Sequence, residues 1–509
     1  MTFQQRITQA LGNPTLQLAL DRNAERRVAG RNQRFAELPD AEAVRDRGRA
    51  IRIETLSHLD RYLEQFAANV EKHGGRVHWA ADAAEACQII LAIVQGAVPH
   101  PNPSPVRKMR EQGRGLPSLV GDFPDGRTPH EGGQVAGDGG LLVAKSKSMV
   151  SEEIALNHAL EAAGIRAVET DLGEFIVQLR RETPSHLITP AVHLRREDVS
   201  ELFHKEFGME PTLDVEKMTA VARAELRRVF FGADVGLSGV NFGVAETGTM
   251  AIVTNEGNAR LCTTLPRIHV ALMGLERLVP TLADLEVMLR LLPRSATAQK
   301  LTSYVSLLTG PRRPDEPDGS EELHVVLLDN GRTRTLGSEL AEALLCIRCG
   351  ACLNVCPVYR EIGGHAYGST YGGPIGSVLS PALFGSDFGE LANASSLCGA
   401  CRDICPVRID IPTMLLAVRG QQAAQGHAPL WLKLGMKAWR WAMATPARYR
   451  AAQALAAFGS RLVSRDGRIR ALPPPLNAWT ARRDFPVFAR ESFRARWTNR
   501  KQKAGGRKR

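Results

Sequence analysis

The sequence predicts an α/β domain with a largely parallel sheet, then an α-helical cysteine-rich module and a helical, basic C-terminal region. Three observations carry this prediction. Short β-branched runs alternate with helical patterns from residue 76 to about 305, an order typical of parallel sheets. Seven of the nine cysteines fall between positions 346 and 405. Residues 426–509 carry 20 of the 65 Lys and Arg residues but only 3 of the 54 Asp and Glu residues.

Composition and charge indicate which classes of protein this chain resembles. The chain has 509 residues, enough for about three domains, with 44% hydrophobic and 23% charged residues, as in ordinary globular proteins. The net charge of +11 comes from the C-terminal region alone, so the slightly acidic remainder indicates no specific nucleic-acid partner. No apolar stretch approaches the ~20 residues of a membrane-spanning helix, and no secretory signal opens the chain. We expect a cytoplasmic protein, with peripheral membrane contact as an alternative.

The elements divide the chain into five predicted segments. A helical N-terminal segment is followed by the α/β domain, a proline-rich linker, the cysteine-rich domain and the basic C-terminal region. Their expected bounds are 1–75, 76–310, 311–334, 335–415 and 416–509. In the first segment, apolar residues at spacings of 3 and 4 predict a helix with one buried face. They are Leu56, Leu59, Leu63, Phe66 and Val70.

The first cysteine motif runs C-x2-C-x2-C-x3-C-P, from Cys346 through Cys349 and Cys352 to Cys356. This is the spacing of a bacterial ferredoxin run that holds [4Fe–4S] clusters. Three thiolates on a tight loop can surround one cluster, and the fourth, carried away by the turn before proline, reaches the other cluster. Gly350 lets the backbone approach the sulfides closely.

The second motif, C-x2-C-x3-C-P, repeats the last three-quarters of the first. Crossed ligation assigns two sets of ligands: Cys346, Cys349, Cys352 and Cys405 for cluster one, and Cys356, Cys398 and Cys401 for cluster two. Ser395 stands where the eighth cysteine would fall and is a candidate weak ligand. Because a [4Fe–4S] cube normally takes four cysteines, we expect cluster two to lose iron on oxidation and become [3Fe–4S].

Zinc is the alternative occupant, since paired C-x2-C motifs also form zinc ribbons. Seven cysteines at ferredoxin spacing and the prolines that follow two of them favour two iron–sulfur clusters. The isolated Cys87 and Cys262 are predicted to be buried structural thiols.

For the other candidate residues, the sequence leaves two possible roles open in each case. The stretch 246–249 either lines a pocket or forms a tight turn at Gly248. Lys145 and Lys147 either hold an anion or lie on a solvated loop, and we favour the loop. His365 and Tyr367 either tune a cluster or pack around it.

A basic amphipathic helix is predicted in the C-terminal region. Its apolar stripe lies about 100° from a basic face. The stripe holds Leu432, Met436, Trp439 and Met443, and the basic face holds Lys433, Lys437 and Arg440. We expect such a helix to dock on a partner or on its own domain, and favour this over anionic lipid.

Several stretches of the chain resemble the lactate-utilization protein B family, iron–sulfur proteins with an N-terminal LUD domain and a two-cluster ferredoxin module. They are Lys145–Met149, Glu169–Glu174, Thr183–His186, Gly243–Thr249, Gly363–Gly368 and 395–401, beside the first cysteine motif. The resemblance spans nearly the whole chain, and the cysteine motifs are its most specific part. Serine in the eighth ligand position looks like the family's own pattern.

The resemblance implies a function and partners. The LUD domain is similar to the sugar-isomerase and CoA-transferase α/β fold. The implied role is non-catalytic electron transfer in the oxidation of L-lactate to pyruvate. The implied partners are two proteins of the same operon, a cysteine-rich iron–sulfur subunit and a small LUD protein. The alternatives are a LUD-domain enzyme acting directly on lactate or an acyl-CoA, and a redox-sensing regulator whose basic region binds nucleic acid.

Overall fold

A computed structural model describes residues 1–97, 140–427, 430–474, 476–481 and 483–505. The chain forms two compact units, 1–421 and 422–509. The first unit contains both the α/β domain and the cysteine-rich module. The second unit lies within the basic region.

The described residues of the first unit form ten strands in two sheets. They are β1 (Arg76–Ala80), β2 (Leu142–Lys145), β3 (Arg166–Glu169), β4 (Val235–Gly239), β5 (Phe242–Val244), β6 (Thr249–Thr254), β7 (Ile268–Gly274), β8 (Leu278–Val279), β9 (Tyr304–Leu308) and β10 (Glu322–Leu328). Six form a central sheet in the order β1-β10-β7-β4-β2-β3, and all their pairings are parallel. The other four form a mixed sheet in the order β8-β5-β6-β9. The predicted, largely parallel α/β fold is confirmed.

The linker prediction is wrong for part of its range. Within the expected linker 311–334, strand β10 lies inside the central sheet, between β1 and β7. The residues from Leu323 to Leu328 are buried, as a central parallel strand covered on both faces requires. The α/β domain therefore extends through β10, beyond its expected end at residue 310.

Helices surround these sheets. Four precede β1: α1 (Phe3–Leu11), α2 (Pro14–Ala36), α3 (Ala41–Ser57) and α4 (Leu59–Lys72). Outside the undescribed stretch 98–139, the α/β domain contains eight: α5 (Ala83–Gln95), α6 (Met149–Glu153), α7 (Leu156–Ala162), α8 (Leu172–Leu179), α9 (Arg196–Phe207), α10 (Val215–Gly232), α11 (Asn258–Thr264) and α12 (Leu282–Thr297). All five residues of the apolar stripe predicted for the N-terminal segment are buried, but they do not share one helix as expected: the chain breaks at His58, which leaves Leu56 on α3 and the other four on α4.

Short helices build the cysteine-rich module. They are α13 (Arg332–Leu336), α14 (Ala351–Val355), α15 (Pro357–Ile362), α16 (Gly373–Phe384), α17 (Ala400–Ile404) and α18 (Ile411–Ala424). Four 3-10 helices accompany α13 to α18 or the end of β7: Leu275–Arg277, Ala341–Leu345, His365–Tyr367 and Ser386–Asn393. One apolar core joins this module to the N-terminal helices and the mixed sheet, and includes Phe66, Met273 and Tyr371. The module therefore shares its core with the α/β domain.

The second unit contains helices and a small two-stranded antiparallel sheet. Its elements are α19 (Leu430–Met443), α20 (Pro446–Leu462), β11 (Arg468–Ile469), α21 (Asn477–Thr480), β12 (Phe485–Pro486) and α22 (Phe493–Gly505). The predicted amphipathic helix is α19, and all of its side chains are at least partly exposed, including Trp431, Trp439 and Trp441. Among the described helices of both units, none is long and apolar enough to cross a membrane.

Candidate iron–sulfur sites

The first cysteine motif forms a tight loop that leads into α14. Arg348 and Gly350 have positive φ values of 59° and 72°, which turn the chain around the loop. A Cβ atom on Gly350 would lie 3.3 Å from Cε1 of His186 and 3.2 Å from Ile188. Glycine is therefore required both by the backbone conformation and by the close approach of the α/β domain.

Four cysteines surround one apolar cavity. Cys346, Cys349 and Cys352 line it from the first motif, and Cys405 lines it from the end of the second motif. All four side chains are buried. The remaining wall is largely aliphatic: Ile347, Ile375, Val407, Ile409 and Ile411. The structure thus brings together the four residues that crossed ligation predicts for cluster one.

The other three cysteines, Cys356, Cys398 and Cys401, lie near one another in a second group. Burial raises the pKa of Cys401 to about 12, and the nearby Cys356 and Cys398 thiols contribute to that rise. Burial likewise raises the pKa of Cys356, with Cys398 as a charged neighbour. Cys398 is the exposed member of the seven. Cys356 therefore lies with the second motif, as predicted, although it belongs to the first motif in sequence.

The thiol arrangement fits clusters better than single zinc ions. Burial, together with the thiols of Cys346 and Cys349, raises the pKa of Cys352, so without a cation the Cys352 sulfur holds its proton. Metal binding displaces such protons. Among the described residues, no three cysteine sulfurs lie within 4.8 Å of one another. A zinc ion at 2.3 Å from each thiolate would bring sulfurs to about 3.8 Å, whereas a four-iron cube holds them farther apart.

Backbone N–H groups point at several of these sulfurs. Arg348 N donates to Cys346 Sγ at 3.4 Å, and Tyr359 N donates to Cys356 Sγ at 3.5 Å. Such bonds stabilise negative charge on sulfur and are one of the protein's means of setting a cluster potential.

Ser395 repeats the geometry of Cys346. Leu397 N donates to Ser395 Oγ at 3.1 Å, just as Arg348 N donates to Cys346 Sγ, two residues along the chain in each case. Leu397 has a φ of 55° beside 59° for Arg348. Glycines with φ of 72° and 84° then follow the next cysteine in the two motifs. The backbone therefore places Ser395 in the register of a ligand.

Arginines from the N-terminal helices donate hydrogen bonds to backbone carbonyls of the cysteine loops. The sequence alone did not predict these contacts. Arg45 donates to the carbonyls of Asp403 and Cys405 at 2.7 and 2.8 Å. Arg31 donates to the carbonyl of Ile404 at 2.7 Å, and the fully buried Arg52 donates to those of Leu344 and Leu345. These guanidinium groups bring positive charge close to the first cavity.

A buried ion-pair network extends from the same loop into the α/β domain. Arg348 contacts Glu276 at 3.2 Å, and Arg332 contacts the other oxygen of Glu276 at 2.5 Å. Burial opposes ionisation of Glu276, but Arg332, Arg348 and Arg277 outweigh it and lower its pKa to about 2. Arg332 also pairs with buried Glu153 at 2.8 Å. The cysteine loop is therefore electrostatically tied to the end of β7.

Most other candidates take structural positions. The turn at Gly248 packs on α4, where a Cβ would lie 2.7 Å from the backbone of Asn69, which favours the turn interpretation. Lys145 is not on a solvated loop: it is buried and pairs with Glu152 and Glu169. Burial of both isolated cysteines is confirmed.

The two residues between the motifs differ in position. Tyr367 is buried, and its pKa is raised by burial and by the nearby Cys356 thiol, so it lies close to the second group. His365 is partly exposed and donates to the carbonyl of Thr183 at 2.7 Å.

Comparisons with known proteins identify three regions of the chain. Family models match a LUD domain at residues 63–328, a 4Fe-4S dicluster domain at 342–409 and a lactate utilisation protein B C-terminal region at 412–502. The dicluster match implies two [4Fe–4S] clusters.

Full-length relatives are similar to the chain throughout. Lactate utilization protein B of Bacillus licheniformis is 41% identical over 99% of this chain and 98% of its own length. The protein of the same name from Geobacillus thermodenitrificans is 42% identical with the same coverage. An uncharacterized electron transport protein of Escherichia coli, YkgF, is 39% identical over 98% of this chain and 97% of its own length.

Proposed function

Because the chain belongs to the lactate utilization protein B family, we propose that it is a cytoplasmic electron carrier in the oxidation of L-lactate to pyruvate. The observation that supports this role is the convergence of seven cysteines into two neighbouring groups within one module. The clusters would supply one-electron transfer over potentials that span about −700 to +450 mV in proteins.

The proposal assigns the ligands by crossed ligation. Cluster one would be held by Cys346, Cys349, Cys352 and Cys405, and cluster two by Cys356, Cys398 and Cys401. Ser395 would lie at the open corner of cluster two, which would lose its iron on oxidation to give [3Fe–4S]. Thiolate is the softer ligand, so the serine hydroxyl would hold iron weakly.

The surroundings of the two groups suggest a direction for the electrons. Cluster one would sit in an apolar cavity among buried arginines, where water is excluded and the negative charge of a reduced cluster is compensated. Cluster two would lie at the surface, because Cys398 is exposed. Electrons would therefore enter or leave through cluster two.

We further propose that the partners are proteins of the same operon, a cysteine-rich iron–sulfur subunit and a small LUD protein. Helix α19 offers a surface for docking within the C-terminal unit, since Trp439 and Met436 are more than half exposed beside Lys433 and Lys437. Contact of this helix with a membrane surface is the weaker alternative.

One observation favours a second candidate function, a LUD-domain enzyme that acts directly on lactate or an acyl-CoA. Lys145 and Glu169 end β2 and β3, and the neighbour of β2 on its other side is β4. Ligands of open α/β sheets bind where the strand order reverses in this way. Nearby, Lys147 Nζ and Glu174 Oε1 form an ion pair at 3.5 Å, and neither atom makes a hydrogen bond.

Reconstitution separates the two functions. The cluster-loaded chain, purified without oxygen, is assayed for L-lactate oxidation with an artificial acceptor, alone and with its two proposed partners. The carrier proposal predicts turnover only in the complete mixture, and loss of that turnover when this chain is omitted. Turnover by the isolated chain would support the enzyme alternative, and full turnover without the chain would reject both.

A further inference from the structure

One set of metal-binding side chains lies outside the cysteine groups in the described part of the chain. It consists of Glu182, His193 and His365, and one ligand atom from each lies within 4.8 Å of the other two. Glu182 and His193 belong to the segment between α8 and α9 of the α/β domain. His365 begins the 3-10 helix between the two cysteine motifs. The set therefore joins two regions that are far apart in sequence.

The contacts within this set resemble those of a metal site in which protons take the place of the metal ion. His193 Nε2 donates to Glu182 Oε2 at 2.7 Å, and the rings of His193 and His365 lie 4.6 Å apart at 69°. Nε2 of His365 donates to the carbonyl of Thr183, which leaves Nδ1 as its metal-binding atom. Nε2 of His193 faces Glu182 Oε2, so Nε2 is the atom that would bind the metal in place of the proton it now donates.

The protonation states also suit a cation. Burial lowers the pKa of His193, so its imidazole is neutral at neutral pH. Hydrogen bonds from His193 and Arg180 lower the pKa of Glu182 although burial opposes this, so the carboxyl group is ionised. Arg180 binds Oε1 of Glu182 at 2.8 Å and leaves Oε2 toward the histidines. Neutral imidazole and ionised carboxylate are the ligand forms that a metal requires.

We propose that Glu182, His193 and His365 bind one divalent transition-metal ion with the preferences of Zn²⁺. Two imidazoles and one carboxylate are borderline and hard ligands that suit this ion, and three protein ligands leave a fourth position open to water. Arg180 would orient the carboxylate from outside the coordination sphere.

A metal ion at this site would link the α/β domain to the cysteine-rich module. The two backbones touch beside it, since a Cβ on Gly364 would lie 1.8 Å from the carbonyl oxygen of Ser185. Tyr359, close to both cysteine groups, donates to that same oxygen at 2.6 Å. A metal ion at this seam would hold His365 against the 182–193 segment and fix the spacing between the LUD domain and the clusters.

The test uses the full chain with its clusters loaded, under anaerobic conditions. The protein receives one equivalent of ZnCl2 and is desalted, and zinc and iron are counted by mass spectrometry. We expect about one zinc per chain, with zinc-edge X-ray absorption showing nitrogen and oxygen ligands at about 2.0–2.2 Å and no sulfur at about 2.3 Å. The His365→Ala variant should retain at least tenfold less zinc with unchanged iron. The matched control is His158→Ala, an exposed histidine outside the set, which should behave as wild type.

Three results would overturn the proposal. The first is a zinc-edge spectrum dominated by sulfur, which would place the ion on cysteines. The second is equal zinc retention by wild type and His365→Ala. The third is wild-type retention no higher than that of Glu182→Gln, a variant of nearly the same shape that keeps both histidines. The iron count reports separately on the clusters, so failure of this site would leave the electron-carrier proposal intact.

Discussion

Replacing Ser395 with cysteine should complete the ligand set of cluster two. The backbone at this position already has the shape of a ligand loop, because Leu397 N approaches Ser395 Oγ as Arg348 N approaches Cys346 Sγ. The two donor–acceptor distances are 3.1 and 3.4 Å, so a thiol fits with a shift of about 0.3 Å, the extra reach of sulfur over oxygen. No change of backbone conformation is needed.

The expected effect of Ser395→Cys is that each chain keeps in air the one iron that the wild-type protein loses. Reduced wild-type protein should hold about eight irons, and air-exposed protein about seven, with the electron paramagnetic resonance signal of a [3Fe–4S] cluster. Ser395→Cys should hold about eight under both conditions and show no such signal. The assay is iron analysis before and after a timed exposure to air, with a spectrum of each sample.

Two companion variants sharpen this test. Ser395→Ala should lose iron as readily as wild type, because the hydroxyl is expected to contribute little. Cys346→Ser recreates the arrangement of cluster two at cluster one and should give it the same sensitivity to air. Eight irons that survive air in wild type but not in Ser395→Ala would show that serine is a true ligand and refute the reasoning.

Three further predictions follow from the site. Cys405→Ala should abolish the same cluster signal as Cys349→Ala, since both line one cavity; losing the other cluster's signal instead would contradict crossed ligation. Removing iron with a chelator should make 335–415 protease-sensitive while the central sheet stays protected, as limited proteolysis with mass spectrometry would show. Glu276→Gln should lower stability by about 3–5 kcal/mol, because it leaves buried arginines unpaired, and thermal unfolding measures this. Burial raises the pKa of Glu276, but the neighbouring arginines outweigh it and lower that pKa from 4.5 to about 2. Its ionisation therefore contributes about 3 kcal/mol above pH 4.5, which is lost as pH falls towards 2, and the variant should lack that decline in stability at acid pH.

The parts of the structure encoded by local pattern were predictable. Alternating strands and helices gave the parallel sheet, and cysteine spacing predicted that Cys356 would leave its own motif while Cys405 would join the first one. Both inferences depend on short-range geometry, such as the turn that proline imposes after each motif. The apolar spacing likewise identified buried positions on α3 and α4.

The remaining features depend on long-range contacts. Strand β10 follows a proline-rich stretch, so its short apolar run resembled part of a linker, and only its pairing with β1 and β7 makes it a central strand. Arg45 and Arg52 lie on a helix whose sequence shows charged residues but not the carbonyls they bind more than 200 residues away. Lys145 was expected in solvent because its carboxylate partner Glu169 lies on another strand. Spacing along the chain carries no signal for such pairs.

We propose that electrons from L-lactate pass through the two clusters of this chain. A freeze-quench experiment tests this: L-lactate is mixed with the anaerobic chain and its two proposed partners, samples are frozen at intervals, and the electron paramagnetic resonance of the clusters is recorded beside the pyruvate formed. We expect the clusters to become reduced at least as fast as pyruvate accumulates, and Cys349→Ala to prevent reduction of cluster one. Pyruvate formation at full rate while both clusters stay oxidised would contradict this proposal.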